Sequence, residues 1–254
     1  VATVISVTNQ KGGVGKTTSS VNIAYFLAKA GKKTLLIDFD PQGNATSGLG
    51  IDKQQLVATM KDVILEEKDL SEVIILTDHK QLFLAPTTPH LANTEVELAQ
   101  ADHRFSRLKI AIEKVSGDYD FIIIDSPPSL SLLTVNGLIA ARYVLLPVQA
   151  EFYALEGLGQ LLETMKLVRK SMNPTLELLG VLPTMMDSRT TLSNQVHEEI
   201  KKHFPGKVFE TTIPRNIRLA EAPSHGLPVG AYDRFSKGSR AYKAVTKEVL
   251  DRVA

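Results

Sequence analysis

Short apolar runs alternate with stretches of helical periodicity along most of the chain. Residues 2–8 read as a buried strand, and residues 17–30 as a helix stopped by Gly31. The next strand covers residues 33–37. Further strands are expected at 82–85 and 121–124, with a helix at about 104–115 between them. Residues 143–148 form another apolar run, followed by a helical pattern from about 154 to 170. A strand at 176–183, a helix near 192–203, a strand at 208–213 and a final helix near 239–253 complete the pattern. Alternation of this kind predicts an α/β fold, a mostly parallel twisted sheet with helices on both faces. Ligand chemistry then belongs at the edge where the strands end. No Pro/Gly/Ser-rich linker interrupts the pattern, so residues 1–254 are expected to form a single domain.

Composition narrows the function. The chain has no cysteine, which excludes a disulfide scaffold, a thiolate zinc site and a cysteine-held iron–sulfur cluster. No run approaches the ~18 consecutive apolar residues of a membrane span, and no signal peptide is visible. A cytoplasmic protein is expected. Net charge is only +1, but residues 189–247 carry eleven Lys and Arg against five acids. That concentration suggests an anionic partner for the C-terminal third.

The first expected strand leads into Asn9-Gln10-Lys11-Gly12-Gly13-Val14-Gly15-Lys16-Thr17-Thr18, and a helix follows. Glycines let backbone N–H groups curl around phosphate oxygens, and the helix N-terminus adds its positive dipole end. Lys16 supplies charge to the β- and γ-phosphates, and the Thr17 hydroxyl is a Mg²⁺ ligand. The common phosphate-loop pattern would place a glycine at position 10, where Gln10 stands instead. Lys11 is the unusual element: either a surface lysine, or a cation that reaches phosphates held by a second subunit.

Asp38-Phe39-Asp40-Pro41-Gln42-Gly43-Asn44 follows the second strand. Two carboxylates one residue apart at a strand end point the same way if the extension continues. One could hold Mg²⁺ through water while the other orients the attacking water, although the same residue types also build turns. The apolar run at 121–124 delivers Asp125 toward Mg²⁺, and Ser126-Pro127-Pro128-Ser129 makes a stiff loop suited to sensing a γ-phosphate.

Lys11 through Thr18, Asp38 through Asn44 and Asp125 through Ser129 resemble the ParA/Soj partitioning ATPases, within the MinD/ParA group of deviant Walker A P-loop NTPases. The segments from Pro147 to Gly157 and from Ile213 to Gly226 are similar to the Soj-like branch. The resemblance implies an ATP- and Mg²⁺-dependent ATPase that works as an ATP-sandwich homodimer. In it, Lys11 crosses the interface and Gly12 lets the partner backbone come close. Gly13, Val14, Gly15, Lys16, Thr17 and Thr18 hold phosphate. Asp40 positions the hydrolytic water. Thr17, Asp40 and Asp125 serve the metal, and Pro214, Arg215 and Asn216 contact adenine and ribose. It further implies nucleoid association through non-specific double-stranded DNA, with Arg189 and Arg218 at basic positions used for that. A ParB/Spo0J-like centromere-binding protein would stimulate hydrolysis.

The alternative is a MinD-like ATPase acting at a membrane surface, which needs a basic C-terminal helix with bulky apolar residues opposite. The end of this chain, residues 242–254, is modestly apolar and carries two acids, so no membrane partner is expected. An electron-transfer relative such as the nitrogenase iron protein would need the cysteines that are missing. A metabolic ligase on the same scaffold would need an acceptor pocket that the sequence does not reveal.

Overall fold

The computed structural model describes residues 1–66, 68–151, 158–187 and 189–254. In chain order the elements are β1 (Thr3–Val7), α1 (Lys16–Lys29), β2 (Thr34–Asp38), α2 (Asn44–Gly48), α3 (Met60–Leu65), β3 (Ile75–Leu76), β4 (Leu82–Ala85), α4 (Thr94–Leu98) and α5 (Arg107–Val115). There follow β5 (Phe121–Asp125), α6 (Leu132–Ala140), β6 (Tyr143–Gln149), α7 (Leu158–Ser171), β7 (Glu177–Thr184), α8 (Thr191–His203), α9 (Ile217–Glu221), α10 (Val229–Tyr232) and α11 (Lys237–Val253).

The sheet order is β3-β4-β2-β5-β1-β6-β7, parallel except for the short edge strand β3. Side chains alternate between two buried layers. Ile122 and Ile124 of β5 pack with α3, α5, α6 and α7, while Phe121 and Ile123 pack with α1 and α11. Each buried aliphatic chain contributes about 1.5–3 kcal/mol, and both sheet faces are covered as near-continuous apolar strands require. Pro147 sits inside β6 at no cost to the ladder. The carbonyls of Leu145 and Pro147 face β1, which has already ended, and they accept from Thr8 N and Asn9 Nδ2.

Two expectations need correction. Residues 208–213 form no continuous strand. Phe209 N and Ile213 N reach β7 carbonyls, but Glu210 N and Thr211 N donate to the Glu248 carboxylate of α11, and only isolated bridges remain at Val208 and Pro214. Helix α6 and the small helices α2, α3 and α4 stand where the periodicity predicts none. The helix expected from about 154 to 170 is present as α7 from Leu158; residues 154–157 lie outside the described residues, as does the Phe152–Gly157 part of the family-like segment that begins at Pro147.

Candidate functional site: a phosphate loop with buried carboxylates

The C-terminal ends of β1, β2 and β5 lie side by side, with Val7 and Asp38 each in register with Asp125. The loop after β1 is fixed at both ends. Asn9 accepts from Lys11 N at 3.0 Å and donates to Pro147 O at 2.8 Å, and Thr184 Oγ1 donates to Val14 O at 2.8 Å. Gly13 and Gly15 take φ of +74° and +88°, which L side chains rarely adopt. Gly15 is also the N-cap of α1 and has no side chain to satisfy the first N–H groups. Such uncapped donors are the ones an anion cradle uses.

Lys16 is turned inward. It is 6% exposed, and its Nζ donates to Lys11 O at 3.0 Å. Burial lowers its pKa, opposed by the charges of Asp125 and Asp40. Lys11 points elsewhere: its Nζ lies 3.2 Å from Glu151 Oε2, and Arg215 Nη2 lies 3.7 Å from the other oxygen of the same carboxylate. The Pro214–Asn216 segment is held beside the end of β7 by Met186, whose N donates to Ile213 O and whose O accepts from Arg215 N.

The carboxylates have different partners. Asp38 accepts from Thr46 N at 2.7 Å and Thr46 Oγ1 at 2.6 Å, so it anchors α2 and does not face outward with Asp40. Asp40 Oδ1 accepts from Gln42 N at 3.0 Å. Asp125 accepts from Ser20 Oγ at 2.9 Å. Asp38 and Asp125 are both fully buried. Burial, and then for Asp125 the neighbouring Asp38 charge, raises their pKa values, that of Asp125 to about 8.

The proposed ligands fit this site. Gln10 Nε2, Asp38 Oδ1, Asp125 Oδ2 and Asn216 Oδ1 are four of the seven described side-chain polar atoms that are buried without a hydrogen-bond partner. Buried polar atoms are normally paired. These four lie on segments where phosphate, metal and base contacts are expected. Sequence reasoning assigns no role to Ser20, Thr46 or Glu151. The first two are legible only as small polar residues at helical spacing, and Glu151 only as part of a family segment.

The raised carboxylates set an expected pH dependence. Above pH 4 an unfolded Asp has released its proton, whereas folded Asp125 keeps it to about pH 8. The folded state therefore binds more protons across that window, and stability of the ligand-free protein falls as pH rises through it, by at most about 1.4 kcal/mol per pH unit for each of the two buried carboxylates that keeps its proton. Denaturant midpoints across this range should drop, and Asp125→Asn should flatten the drop. A midpoint that rises with pH would contradict the buried pair.

The two candidate DNA contacts are both paired with acids of this chain. Arg189 makes a bidentate pair with Asp187 (Nε and Nη2 at 2.8 and 2.7 Å), which pulls the Asp187 pKa down to about 2. Arg218 sits between Glu221 at 2.8 Å and Asp233 at 3.4 Å.

A parallel sheet with a glycine loop, an inward lysine and strand-end aspartates defines a phosphate-loop NTPase. A family model described as an AAA domain matches residues 2–178. The sporulation initiation inhibitor protein Soj of Bacillus subtilis is 53% identical over 97% of both chains. The chromosome partitioning protein ParA of Myxococcus xanthus is 48% identical over 99% of this chain and 89% of its own. Among solved structures, cobyrinic acid a,c-diamide synthase of Mycobacterium smegmatis with ADP and magnesium superposes with a TM-score of 0.88 at 38% identity, covering 100% of this chain and 96% of its own. The chain belongs to the ParA/Soj family of chromosome-partitioning ATPases.

Proposed function

We propose that this chain hydrolyses ATP between two copies of itself. In its ATP-bound state it holds non-specific duplex DNA, and it lets go when a ParB-like partner stimulates hydrolysis. It thereby positions DNA cargo on the nucleoid in the cytoplasm. The observation that carries this reading is the division of labour between the two loop lysines. Lys16 is buried and serves its own phosphates. Lys11 is nearly half exposed and points out of its own loop, as a residue destined for a partner's nucleotide would. Gly12 supports the same reading. It has no left-handed φ, and an added Cβ there would meet nothing within 4 Å, so nothing inside one chain requires glycine. A closely approaching second backbone would supply the reason.

Within that assembly Gly13 through Thr18 hold the phosphate tail with backbone N–H groups. Thr17, Asp40 and Asp125 would hold Mg²⁺, and the ion would supply neutralisation of charge on the phosphate oxygens. Asp40 orients the attacking water. The Lys11–Glu151 pair must break before Lys11 can cross. Both partners are substantially exposed, so breaking it costs no more than about 1 kcal/mol. Pro214, Arg215 and Asn216 contribute the base and ribose contacts, Asn216 through its unpaired Oδ1.

Similarity to Soj and ParA, at 53% and 48% identity, favours partitioning over the amide-forming synthase, which is 38% identical. A membrane role is disfavoured by α11. Its apolar residues Tyr242, Val245 and Val249 are buried against the core, and no described helix is long and apolar enough to cross a membrane. The test is retention on random-sequence duplex DNA with Mg-ATP against Mg-ADP. Retention with ATP alone is expected. Equal affinity in both nucleotides at every salt concentration would sink the switch.

A further inference from the structure

The loop that carries Asp38 and Asp40 is tied to α2, and the chain leaving α2 runs against the segment that carries Arg218. Thr46 holds α2 to Asp38, and Gly43 N donates to Asp40 O at 2.8 Å where the helix begins. The helix stops at Gly48, and Gly50 follows at φ +77°. On the other side, α9 and α10 form one body. Arg218 pairs with Glu221 and with Asp233, Tyr232 OH donates to Glu221 at 3.2 Å, and the His225 ring stacks on that of Tyr232 at 4.9 Å. The body is attached to α1, where Val229 N donates to Asn22 Oδ1 at 2.8 Å. The turn after α9 closes on Gly226, at φ +65°.

Gly226 and Gly50 meet backbone to backbone. A Cβ on Gly226 would lie 2.6 Å from Gly50 Cα and 2.9 Å from Gly50 N, and a Cβ on Gly50 would lie 3.3 Å from Gly226 O. Backbone cannot yield as the end of a flexible side chain can, so a side chain at Gly226 forces the two segments apart. Beside this contact a cavity of about 270 Å³ opens between α1, α2 and the body, lined in part by Thr17, Asn22, Asn44, Ser47, Leu219 and Pro223. The body is thus held at α10 and braced at Gly226, with space between α9 and the phosphate-loop helix.

We infer that the Gly50–Gly226 contact couples the Asp40 loop to α9, so that the nucleotide bound at the loop sets where Arg218 stands. The inference rests on the proposed function and names the positioning residues through which nucleotide reaches DNA. A ligand shifts a conformation only through contacts that differ between its states. ATP and ADP differ at the γ-phosphate, and Asp40 is the residue proposed to orient the water that attacks it. A shift of the Asp40 loop carries α2 with it, because Asp38 and Thr46 tie the two together. Close-packed backbone passes such a shift on, whereas a side-chain contact would absorb part of it by changing rotamer.

The experiment measures binding to a random-sequence duplex with a non-hydrolysable ATP analogue against ADP, and light scattering with the same nucleotides. Couplings between sites are typically about 5- to 150-fold in affinity. Gly226→Ala should bring the ratio of the two DNA affinities to within about threefold of unity. The analogue should still double the mass, and basal ATP turnover should stay unchanged. Gly50→Ala, with its looser contact, should lower the ratio less, and it carries the test if Gly226→Ala fails to fold. Gly31→Ala is the control for backbone strain: φ is +83° there, but an added Cβ meets nothing within 4 Å. It should keep the parent's ratio. A full ratio in both contact variants overturns the inference. So does an equal loss in Gly31→Ala, an equal fall of affinity with both nucleotides, or loss of the doubled mass, any of which would make the contact a prop for the fold or the assembly. If the parent itself binds DNA equally with both nucleotides, the proposed function fails, a result distinct from these.

Discussion

Lys16→Ala is expected to lower Mg-ATP affinity at least 100-fold, to the point where calorimetry detects no uptake. The ammonium is 6% exposed and donates to a loop carbonyl at 3.0 Å while two aspartates lie near enough to raise its pKa. Its charge is thus held in a low-dielectric pocket ahead of the phosphates. Removing one partner of a buried charge pair costs about 3–5 kcal/mol, which is about two to three and a half decades of affinity. Folding is affected differently. The ligand-free protein loses a desolvated cation with one loop hydrogen bond, so its denaturation midpoint should move little. The two readouts separate a binding defect from a folding defect. If Lys16→Ala takes up Mg-ATP within about threefold of the parent, the glycine loop is not the nucleotide site, and the proposed function falls with it.

The parts of the fold that the sequence makes legible are those where local pattern and global burial agree. The strand–glycine loop–helix unit can be read because Gly13 and Gly15 are needed for backbone reasons and Lys16 follows at the helix start. The strand ends at Asp38 and Asp125 can be read because buried parallel strands are near-continuous apolar runs that stop at a charge. Helix α6 cannot. Leu132–Ala140 is apolar nearly all round, packs under α5 and α7, and carries no amphipathic period to count. The break at 210–211 is decided by Glu248, 37 residues further along, so no local pattern signals it. Asp38 and Asp40 look equivalent in sequence. They differ because Thr46, eight residues on, folds back to claim the first of them.

Charge shows a different limit. Counting Lys and Arg over residues 189–247 locates the basic third of the molecule, but it treats each cation as free. Arg189 and Arg218 have acids at i−2 and i+3, and both pairs form. Of the exposed cations Lys237, Arg240, Lys243 and Lys247 on α11, only Lys247 has an acid one turn further along the helix, Asp251, and no ion pair between them forms. Net charge is a sum, whereas phosphate binding draws on the unpaired remainder.

Asp40→Ala should separate binding from hydrolysis, and it carries the second-largest expected effect. Turnover is expected to fall at least about 100-fold, because phosphoryl transfer relies on positioning and the variant has lost the group that orients water. ATP affinity should stay within about threefold, since the loop amides and Lys16 remain in place. Loss of the Asp40 charge also leaves Lys16 less well balanced, so its pKa should drop further, but Asp125 still faces it. With hydrolysis blocked, the ATP-bound assembly should persist. Light scattering after size exclusion should report a monomer mass with ADP and twice that mass with ATP, and adding Lys11→Ala should return the ATP form to monomer. Asp38→Ala should behave otherwise. It frees Thr46 and unseats α2, so it should lower thermal stability first and affect turnover only through that loss. Rapid turnover by Asp40→Ala would remove Asp40 from its assigned role. A monomer with ATP in that variant would mean that Lys11 points at Glu151 for structural reasons alone, and that the two lysines of this loop never meet the same nucleotide.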